Sequence, residues 1–388
     1  MNKKLEQVQK EALALCAPVF HEMEEISLYN TEKVLSAFRK HHLSAYHFAP
    51  SNGYGYGDPG REKLEEIWCD IFHAESALVR PHFVSGTHAL ATVLLALLEP
   101  GDTMVSAVGA PYDTMESVIG ITGNAPGNLI SKGVHYKEVP LKGNTYDLQA
   151  ISDAVDENTK LVEIQRSRGY MLRDSLFPSD MKKIIDTVKA KNPDTICFVD
   201  NCYGEFTNKE EPIELGADIT AGSLIKNAGG GLAPTGAYIC GRKDLVERCS
   251  YVWTAPGLGG EMGSYAASYR PFFEGLFLAP HMTRQAMMSA EFCAAVFKLI
   301  GFKTSPENRP HYHGDTGFRR KHVPLRRSHS ELVSRRFGRH SGTGAHAGIC
   351  RSHSHGSWYF RAGVYHRNVC RWPCPSALCH VLPGRSDF

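Results

Sequence analysis

Apolar and polar positions along residues 1–306 follow patterns that predict helices and strands in turn. Residues 1–45 have helical spacing, and another helix is predicted after Asp58-Pro59, because proline suits the first turn of a helix. LVEIQRS and TICFVDNCYGEF are short apolar runs typical of buried strands, and PSDMKKIIDTVKAKNP between them has helical spacing. Strands that alternate with helices predict an α/β fold with a mostly parallel sheet covered on both faces.

The same patterns divide the chain into four segments. Residues 1–45 form a predicted N-terminal helical arm, and residues 46–265 hold the strands and helices of a large domain. Helical spacing resumes over 266–306, which we expect to begin a C-terminal domain. Over 307–388 the apolar periodicity fades, and stretches such as RRKHVPLRRSHSELVSRRFGRH fit neither helix nor strand.

Composition narrows the class of protein. The chain has 388 residues, of which 42% are hydrophobic and 22% charged, as in an ordinary globular protein. No apolar run reaches the roughly 18–20 residues that span a bilayer, and the N-terminus does not resemble a signal peptide. We therefore expect a cytoplasmic protein with no membrane partner, whose 11 cysteines are reduced thiols.

Charge is distributed unevenly along the chain. Residues 307–388 hold 13 Arg, one Lys and four acidic residues, a net charge of +10, while residues 1–306 carry −8. The same tail holds ten of the 19 His residues. Such a break in composition needs an explanation separate from the fold.

One lysine lies close to a run of glycines, whose backbone can adopt conformations that other residues rarely adopt. Lys226 lies in AGSLIKNAGGG, between an apolar run and a glycine triplet. A lysine that bonds to a carbonyl cofactor must be uncharged near neutral pH, and burial or a neighbouring cation would lower its pKa. Taken alone, such a lysine is usually a solvated surface residue, so other residues must decide between these interpretations.

Further features match the needs of pyridoxal phosphate. Asp200 ends an apolar strand, where a buried carboxylate needs a partner such as a pyridinium nitrogen. SGTHA (85–89) would set backbone amides at a helix start beside a phosphate, with a hydroxyl from Thr87. Ser223 would add a donor, and Tyr112 a flat face for the ring. Each residue has an ordinary structural explanation when taken singly, but their order and spacing together favour the cofactor.

The motifs SGTHA, APYDTME, VDNCYGEF and GSLIKNAGGGLAPTGAYI resemble those of the methionine gamma-lyase-like group, also named the aluminium-resistance or cystathionine beta-lyase-related group. The resemblance runs from near the N-terminus to about residue 305. It implies the aspartate-aminotransferase-like fold (fold type I) of pyridoxal phosphate-dependent transferases. It also implies pyridoxal 5'-phosphate as cofactor, a small-molecule amino-acid substrate and a homo-oligomer, either dimer or tetramer.

The resemblance also assigns roles to residues. Lys226 would bind the cofactor covalently, Asp200 would pair with its ring nitrogen, and Tyr112 would stack on the ring. The residues implied to hold the phosphate are Ser85, Gly86, Thr87 and Ser223.

Other residues are placed near the cofactor with less definite roles. In related lyases a tyrosine and an arginine of the neighbouring subunit reach the phosphate. Here SNGYGYGD offers Tyr54 and Tyr56, with Arg61 further on, and Tyr56 is our candidate. The familiar tyrosine-x-arginine order is absent. Arg166 and Arg168 in QRSRGY occupy positions that the group places near the cofactor.

The implied function is that of a carbon–sulfur lyase acting on a sulfur amino acid, of the methionine gamma-lyase or cystathionine beta-lyase type. Lys226 would remove the α-proton, and Tyr112 is grouped with it as catalytic. The sequence does not decide between β- and γ-elimination. An aminotransferase or racemase of the same fold is one alternative. A non-catalytic protein that binds metal or nucleic acid through its tail is another.

Three interpretations compete for the tail. A metal site would use Cys370, Cys374, Cys379 and His380, but their spacing lacks the paired CxxC units of zinc sites. A nucleic-acid arm would explain the arginines, but lysine is almost absent. We therefore expect neither metal nor nucleic acid.

The third interpretation is a frameshift. Permitted codons for residues 356–373, read one base later, can encode AAGTFVQGSIIEMSADGP, which resembles the C-terminal domain of the same group. The tail is thus expected to be out of frame and disordered, with the small C-terminal domain disrupted. In this fold class that domain closes over the active site, so the function would be encoded here but not performed.

Overall fold

The computed structural model describes residues 3–171 and 173–304. Packing divides these residues into two compact units, one of residues 18–288 and one of residues 3–17 with 289–304. The four-segment division expected from sequence stays a prediction. The tail at 307–388, with its candidate metal ligands and its suspected frameshift, lies outside the described residues.

Helices and strands alternate through most of the chain. The helices are α1 (Lys3–Lys40), α2 (Pro59–Phe72), α3 (Gly86–Leu97), α4 (Asp113–Ile119), α5 (Leu148–Ala154), α6 (Pro178–Lys191), α7 (Lys243–Trp253) and α8 (Arg270–Leu299). The strands are β1 (Ser76–Arg80), β2 (Thr103–Ser106), β3 (His135–Glu138), β4 (Thr159–Gln165), β5 (Ile196–Asp200), β6 (Ile219–Ser223) and β7 (Ala237–Gly241). Short 3-10 helices span Ala45–Phe48, Ile130–Lys132, Pro212–Leu215, Asn227–Gly229 and Gly259–Glu261.

The described strands form one sheet in the order β1-β7-β6-β5-β4-β2-β3. Neighbours from β3 to β6 pair in parallel, whereas β7 is antiparallel to both β6 and β1. The predicted α/β class with a mostly parallel sheet is confirmed. Strand β6 ends at Ser223, so the stretch that carries Lys226 connects β6 to β7.

The sheet contributes side chains to a core on each of its faces. Because successive residues of a strand point to opposite faces, β4 serves both cores. Leu161 belongs to the cluster that includes Leu94 of α3, and the next residue, Val162, belongs to the cluster that includes Ile184 of α6. This near-continuous apolar run is what a strand buried on both faces requires.

Helix starts lie where the sequence predicts them. Asp58 caps α2, and its Oδ1 accepts hydrogen bonds from the backbone N–H groups of Gly60 and Arg61 at 3.0 Å each. Ser85 caps α3, and its Oγ accepts from the N–H of His88 at 3.2 Å. None of the described helices is both long and apolar enough to cross a bilayer. The cytoplasmic location stays a prediction.

Candidate active site

The predicted site residues meet at one edge of the sheet, where β5 and β6 end beside the start of α3. Asp200 is the last residue of β5 and Ser223 the last of β6, and parallel strands end at the same edge. A Cβ built on Gly86 would lie 3.0 Å from Cβ of Ser223 and 3.6 Å from Sγ of Cys202. The absence of a side chain at Gly86 therefore lets α3 approach both strand ends.

Lys226 lies between two tyrosine rings. Its Nζ is 4.2 Å from the ring centroid of Tyr203 and 6.0 Å from that of Tyr112. Tyr112 precedes α4 and stacks on Tyr170, with ring centroids 5.4 Å apart and planes inclined by 25°. The Tyr112 hydroxyl donates to that of Tyr170 at 3.2 Å. Aromatic side chains therefore line the site beside the amine of Lys226.

Opposing effects act on the pKa of Lys226. Burial lowers the pKa of Lys226, but Cys202, Tyr203 and Asp200 raise it, and the net direction is upward. Burial also raises the pKa of the Cys202 thiol well above its usual value. Negative charge on any of these three groups would favour the protonated amine. Burial alone therefore does not lower the net pKa of Lys226 in this site.

Asp200 is itself almost fully buried. Burial raises its pKa above the usual range, and the positive charge of Lys226 and the N–H of Cys202 partly offset that rise. The Cys202 N–H donates to Oδ1 of Asp200 at 3.0 Å. Asp200 and Lys226 thus interact electrostatically in a poorly solvated site.

The residues expected to hold a phosphate lie close together but differ in whether their side chains already have hydrogen-bond partners. Ser85 caps α3 with its side chain, and Oγ1 of Thr87 lies 2.8 Å from Oγ1 of Thr114. Oγ of Ser223 is buried and has no hydrogen-bond partner among the residues that the structure describes. An unpaired buried hydroxyl costs free energy unless a ligand completes it. Ser223 is therefore the strongest indication of an anion beside Gly86.

The tyrosines near the N-terminal loop are exposed, and Arg61 is not. Tyr54 and Tyr56 are 73% and 62% exposed, with ring centroids 6.1 Å apart. Arg61 is 2% exposed, and its Nη1 donates to the carbonyl oxygens of Gly55 at 2.6 Å and Gly263 at 3.4 Å. Arg61 therefore holds its own loop in place. Whether Tyr56 reaches a neighbouring subunit stays a prediction.

Arg166 and Arg168 are both buried and hydrogen-bonded to protein groups. Arg166 donates to Oδ1 of Asn201 at 2.7 Å and of Asn208 at 2.9 Å, and it pairs with Glu211 at 3.4 Å. Arg168 donates from Nε to the carbonyl oxygen of Met171 at 3.1 Å. Arg166 therefore supports the loop after β5.

Four neighbours of the site escaped the sequence analysis. Cys202 and Tyr203 stand two and three residues after Asp200 in the same motif, so that motif could have revealed them. Glu163 and Gln165 are buried on β4, and the sheet register pairs Gln165 with Asp200. Their proximity depends on the order of the strands, which the sequence does not show.

Together these residues suit a ligand that is anionic at one end and cationic at the other. Ser223 and the start of α3 can take the anionic group, and buried Asp200 can take the cation. Pyridoxal phosphate has a phosphate, a ring nitrogen that binds a proton, and a carbonyl group for the amine of Lys226. The residues present fit this cofactor. Among them the structure shows no cluster of three or more His, Cys, Asp or Glu side chains placed to bind a metal.

Comparison with solved structures defines the class of protein. The pyridoxal-5'-phosphate-dependent protein YhfS of Escherichia coli has a TM-score of 0.56 and 20% identity over 72% of this chain and 70% of that one, a likeness in fold alone. The fold is that of the fold type I pyridoxal phosphate enzymes.

Closer relatives define the family. The family model described as "Methionine gamma-lyase" matches residues 5–314, and the chain belongs to this family. The uncharacterized protein YnbB of Bacillus subtilis (strain 168) is 44% identical over 305 residues, which cover 78% of this chain and 72% of that protein.

Two solved structures are similar over comparable lengths. A carbon–sulfur lyase involved in aluminium resistance from Clostridium novyi NT has a TM-score of 0.78 and 45% identity, over 81% of this chain and 76% of that one. A candidate cystathionine beta-lyase involved in aluminium resistance from Listeria monocytogenes has a TM-score of 0.78 and 44% identity, over 80% of this chain and 77% of that one.

Proposed function

We propose that this chain binds pyridoxal 5'-phosphate and breaks a carbon–sulfur bond in a sulfur-containing amino acid. The observation that carries the proposal is the meeting of Lys226, Asp200 and Ser223 at one sheet edge beside the start of α3. Membership of the methionine gamma-lyase family and the names of similar solved structures support the reaction class.

The proposed roles follow from charge and burial. Ser85, Gly86, Thr87 and Ser223 hold the phosphate, Tyr112 provides a flat face, and Asp200 holds the proton of the ring nitrogen. The bound cofactor supplies an electron sink for the electrons left at the α-carbon. Lys226 binds the cofactor and takes the α-proton of the substrate as a neutral amine.

The charge of Lys226 links these roles. Because the Asp200 carboxylate raises the pKa of Lys226, a cation that pairs with Asp200 would lower that pKa again. That shift would favour the neutral amine that a general base needs. The sulfur leaves as a thiol from the β- or γ-carbon, and no residue described here favours either position.

The first test is cofactor binding by the full-length chain. With pyridoxal phosphate added, we expect an absorbance band near roughly 420 nm, since the lysine-bound imine is conjugated with the ring. The band should vanish in Lys226→Ala and persist in the matched control Lys243→Ala, whose lysine is exposed. A band that survives in Lys226→Ala would show that another residue binds the cofactor.

The second test is the reaction. We expect cystathionine, methionine or cysteine to give a thiol together with pyruvate or 2-oxobutyrate. Transfer of the amino group to a keto acid, or racemisation without thiol release, would favour the aminotransferase or racemase alternative. Sequencing the DNA across codons 300–330 decides whether the tail is out of frame, and the assay is then repeated with the frame restored.

A further inference from the structure

The loop at residues 201–208, which we name the Asn201 loop, follows β5 directly. Tyr203 and Phe206 adopt left-handed backbone conformations there, with φ of 69° and 61°. The other described non-glycine residues with positive φ, His42 and His73, follow the ends of helices, where this conformation is common. Within the Asn201 loop it costs free energy, so surrounding contacts must hold it.

Arg166 and Glu211 supply those contacts. Arg166 donates to the side chains of Asn201, Thr207 and Asn208 at 2.7, 3.1 and 2.9 Å. Glu211 accepts the N–H of Phe206 at 2.9 Å. The Asn201 loop is thus anchored at both ends by buried charged groups.

The Asn201 loop is also tied to the lysine segment. Asn227, which follows Lys226, donates from Nδ2 to the carbonyl oxygens of Tyr203 at 3.0 Å and Glu205 at 3.2 Å. The strained residue and the lysine therefore belong to one hydrogen-bonded unit.

This unit sets the Tyr203 ring against the lysine. The ring centroid is 4.2 Å from Nζ, well inside the roughly 6 Å over which a cation and an aromatic face attract each other. Tyr112 is at 6.0 Å, the outer limit of that range. We propose that Tyr203 is a positioning residue whose ring holds the Lys226 ammonium group in place and releases it when the amine becomes neutral.

This inference rests on the proposed function, but its test does not need a bound cofactor. In the cofactor-free full-length chain, each lysine is methylated with formaldehyde and cyanoborohydride across a range of pH and quantified by peptide mass spectrometry. Only the neutral amine reacts, so the midpoint of labelling reports the apparent pKa of Lys226. Lys243, an exposed lysine, is the internal reference.

Removing the ring should free the amine. In Tyr203→Leu we expect the labelling midpoint of Lys226 to fall by about one pH unit, the size of a partly desolvated cation–aromatic contact. Tyr203→Phe keeps the ring and should keep the midpoint. Tyr251→Leu removes a tyrosine from α7 and should leave it unchanged. The midpoint of Lys243 should be the same in all variants.

Two results would overturn the proposal. An unchanged midpoint in Tyr203→Leu would show that the ring does not hold the amine. An equal fall in Tyr203→Phe would assign the effect to the hydroxyl. If Tyr203→Leu does not fold, Asn227→Ala releases the ring from the lysine segment and should lower the midpoint by a smaller amount, and no change there would also overturn it. Failure of the proposed function appears separately, as loss of the cofactor band in the parent chain.

Discussion

Gln165 ends β4 and Arg166 follows it directly, yet the side chain of Arg166 is hydrogen-bonded to its neighbours, whereas Oε1 of Gln165 is unpaired among the described residues. Arg166 lies in a group of mutually hydrogen-bonded side chains with Asn201, Thr207, Asn208 and Glu211, which we name the paired network. Gln165 belongs with Glu163 and Ser223 to a second set, which we name the unpaired set. Its members are Oε1 of Gln165, both carboxyl oxygens of Glu163 and Oγ of Ser223, buried atoms without hydrogen-bond partners among the described residues.

The difference shows that neighbouring residues at the end of one strand can have separate tasks. One holds the Asn201 loop, and the other contributes an unpaired polar atom to the candidate site. Buried polar atoms are nearly always paired, so a ligand that paired with the unpaired set would remove a free-energy cost. The paired network instead fixes the backbone that carries Tyr203. The unpaired set and the paired network thus meet at consecutive residues, Gln165 at the end of β4 and Arg166 directly after it.

Breaking the paired network should have the largest effect. In Arg166→Met, Glu211 loses its cation and stays buried, so we expect the free energy of unfolding to fall by about 3–5 kcal/mol. Urea unfolding measures this. Arg242→Ala is the matched control: Arg242 is exposed, and its buried partner Asp218 keeps an ion pair with Lys189, so the loss of Arg242 should cost under about 1 kcal/mol. Equal losses in both variants would contradict a special role for the network.

Replacing Glu163 of the unpaired set with glutamine should stabilise the protein by an amount that depends on pH. Burial and the charge of Asp200 raise the pKa of Glu163 from 4.5 to about 8. The folded chain keeps this proton where the unfolded chain has lost it, so stability falls as pH rises from about 4.5 to about 8. Glu163→Gln removes that loss, and we expect a gain of about 4 kcal/mol at pH 8 that disappears near pH 4.5.

Urea unfolding at several pH values checks this expectation. Glu138→Gln, an exposed glutamate on β3, is the control and should show no such trend. Glu205, whose pKa burial also raises to about 8, keeps its share of the pH dependence in both variants. A constant difference between Glu163→Gln and the parent across this range would contradict the raised pKa.

The smallest expected effect falls on a single hydroxyl. Ser223→Ala removes the unpaired Oγ, and the dissociation constant for pyridoxal phosphate should rise about tenfold, as expected for one hydrogen bond to a charged group. Titration followed by absorbance measures it. Ser131→Ala, an exposed serine, should bind as the parent does. Unaltered binding in Ser223→Ala would show that the unpaired hydroxyl does not bind the phosphate.

The sequence predicts the parts of the site that lie at the ends of elements. Asp200, Ser223 and Gly86 could be predicted because each stands where an apolar run or a helix pattern changes. The environment of Arg166 could not, since it depends on a loop 35–42 residues further along. The direction of the Lys226 pKa shift could not be predicted either, since it depends on which groups the fold brings beside the amine.

The glycine triplet beside Lys226 has a mechanical consequence. A Cβ on Gly230, where φ is 55°, would collide with the carbonyl oxygen of Gly275 in α8, and a Cβ on Gly275 would collide with the carbonyl oxygen of Gly229. Backbone thus rests directly on backbone, with no flexible side chain between to absorb a displacement. A tilt in the first turns of α8 should therefore displace the backbone of the segment that carries Lys226.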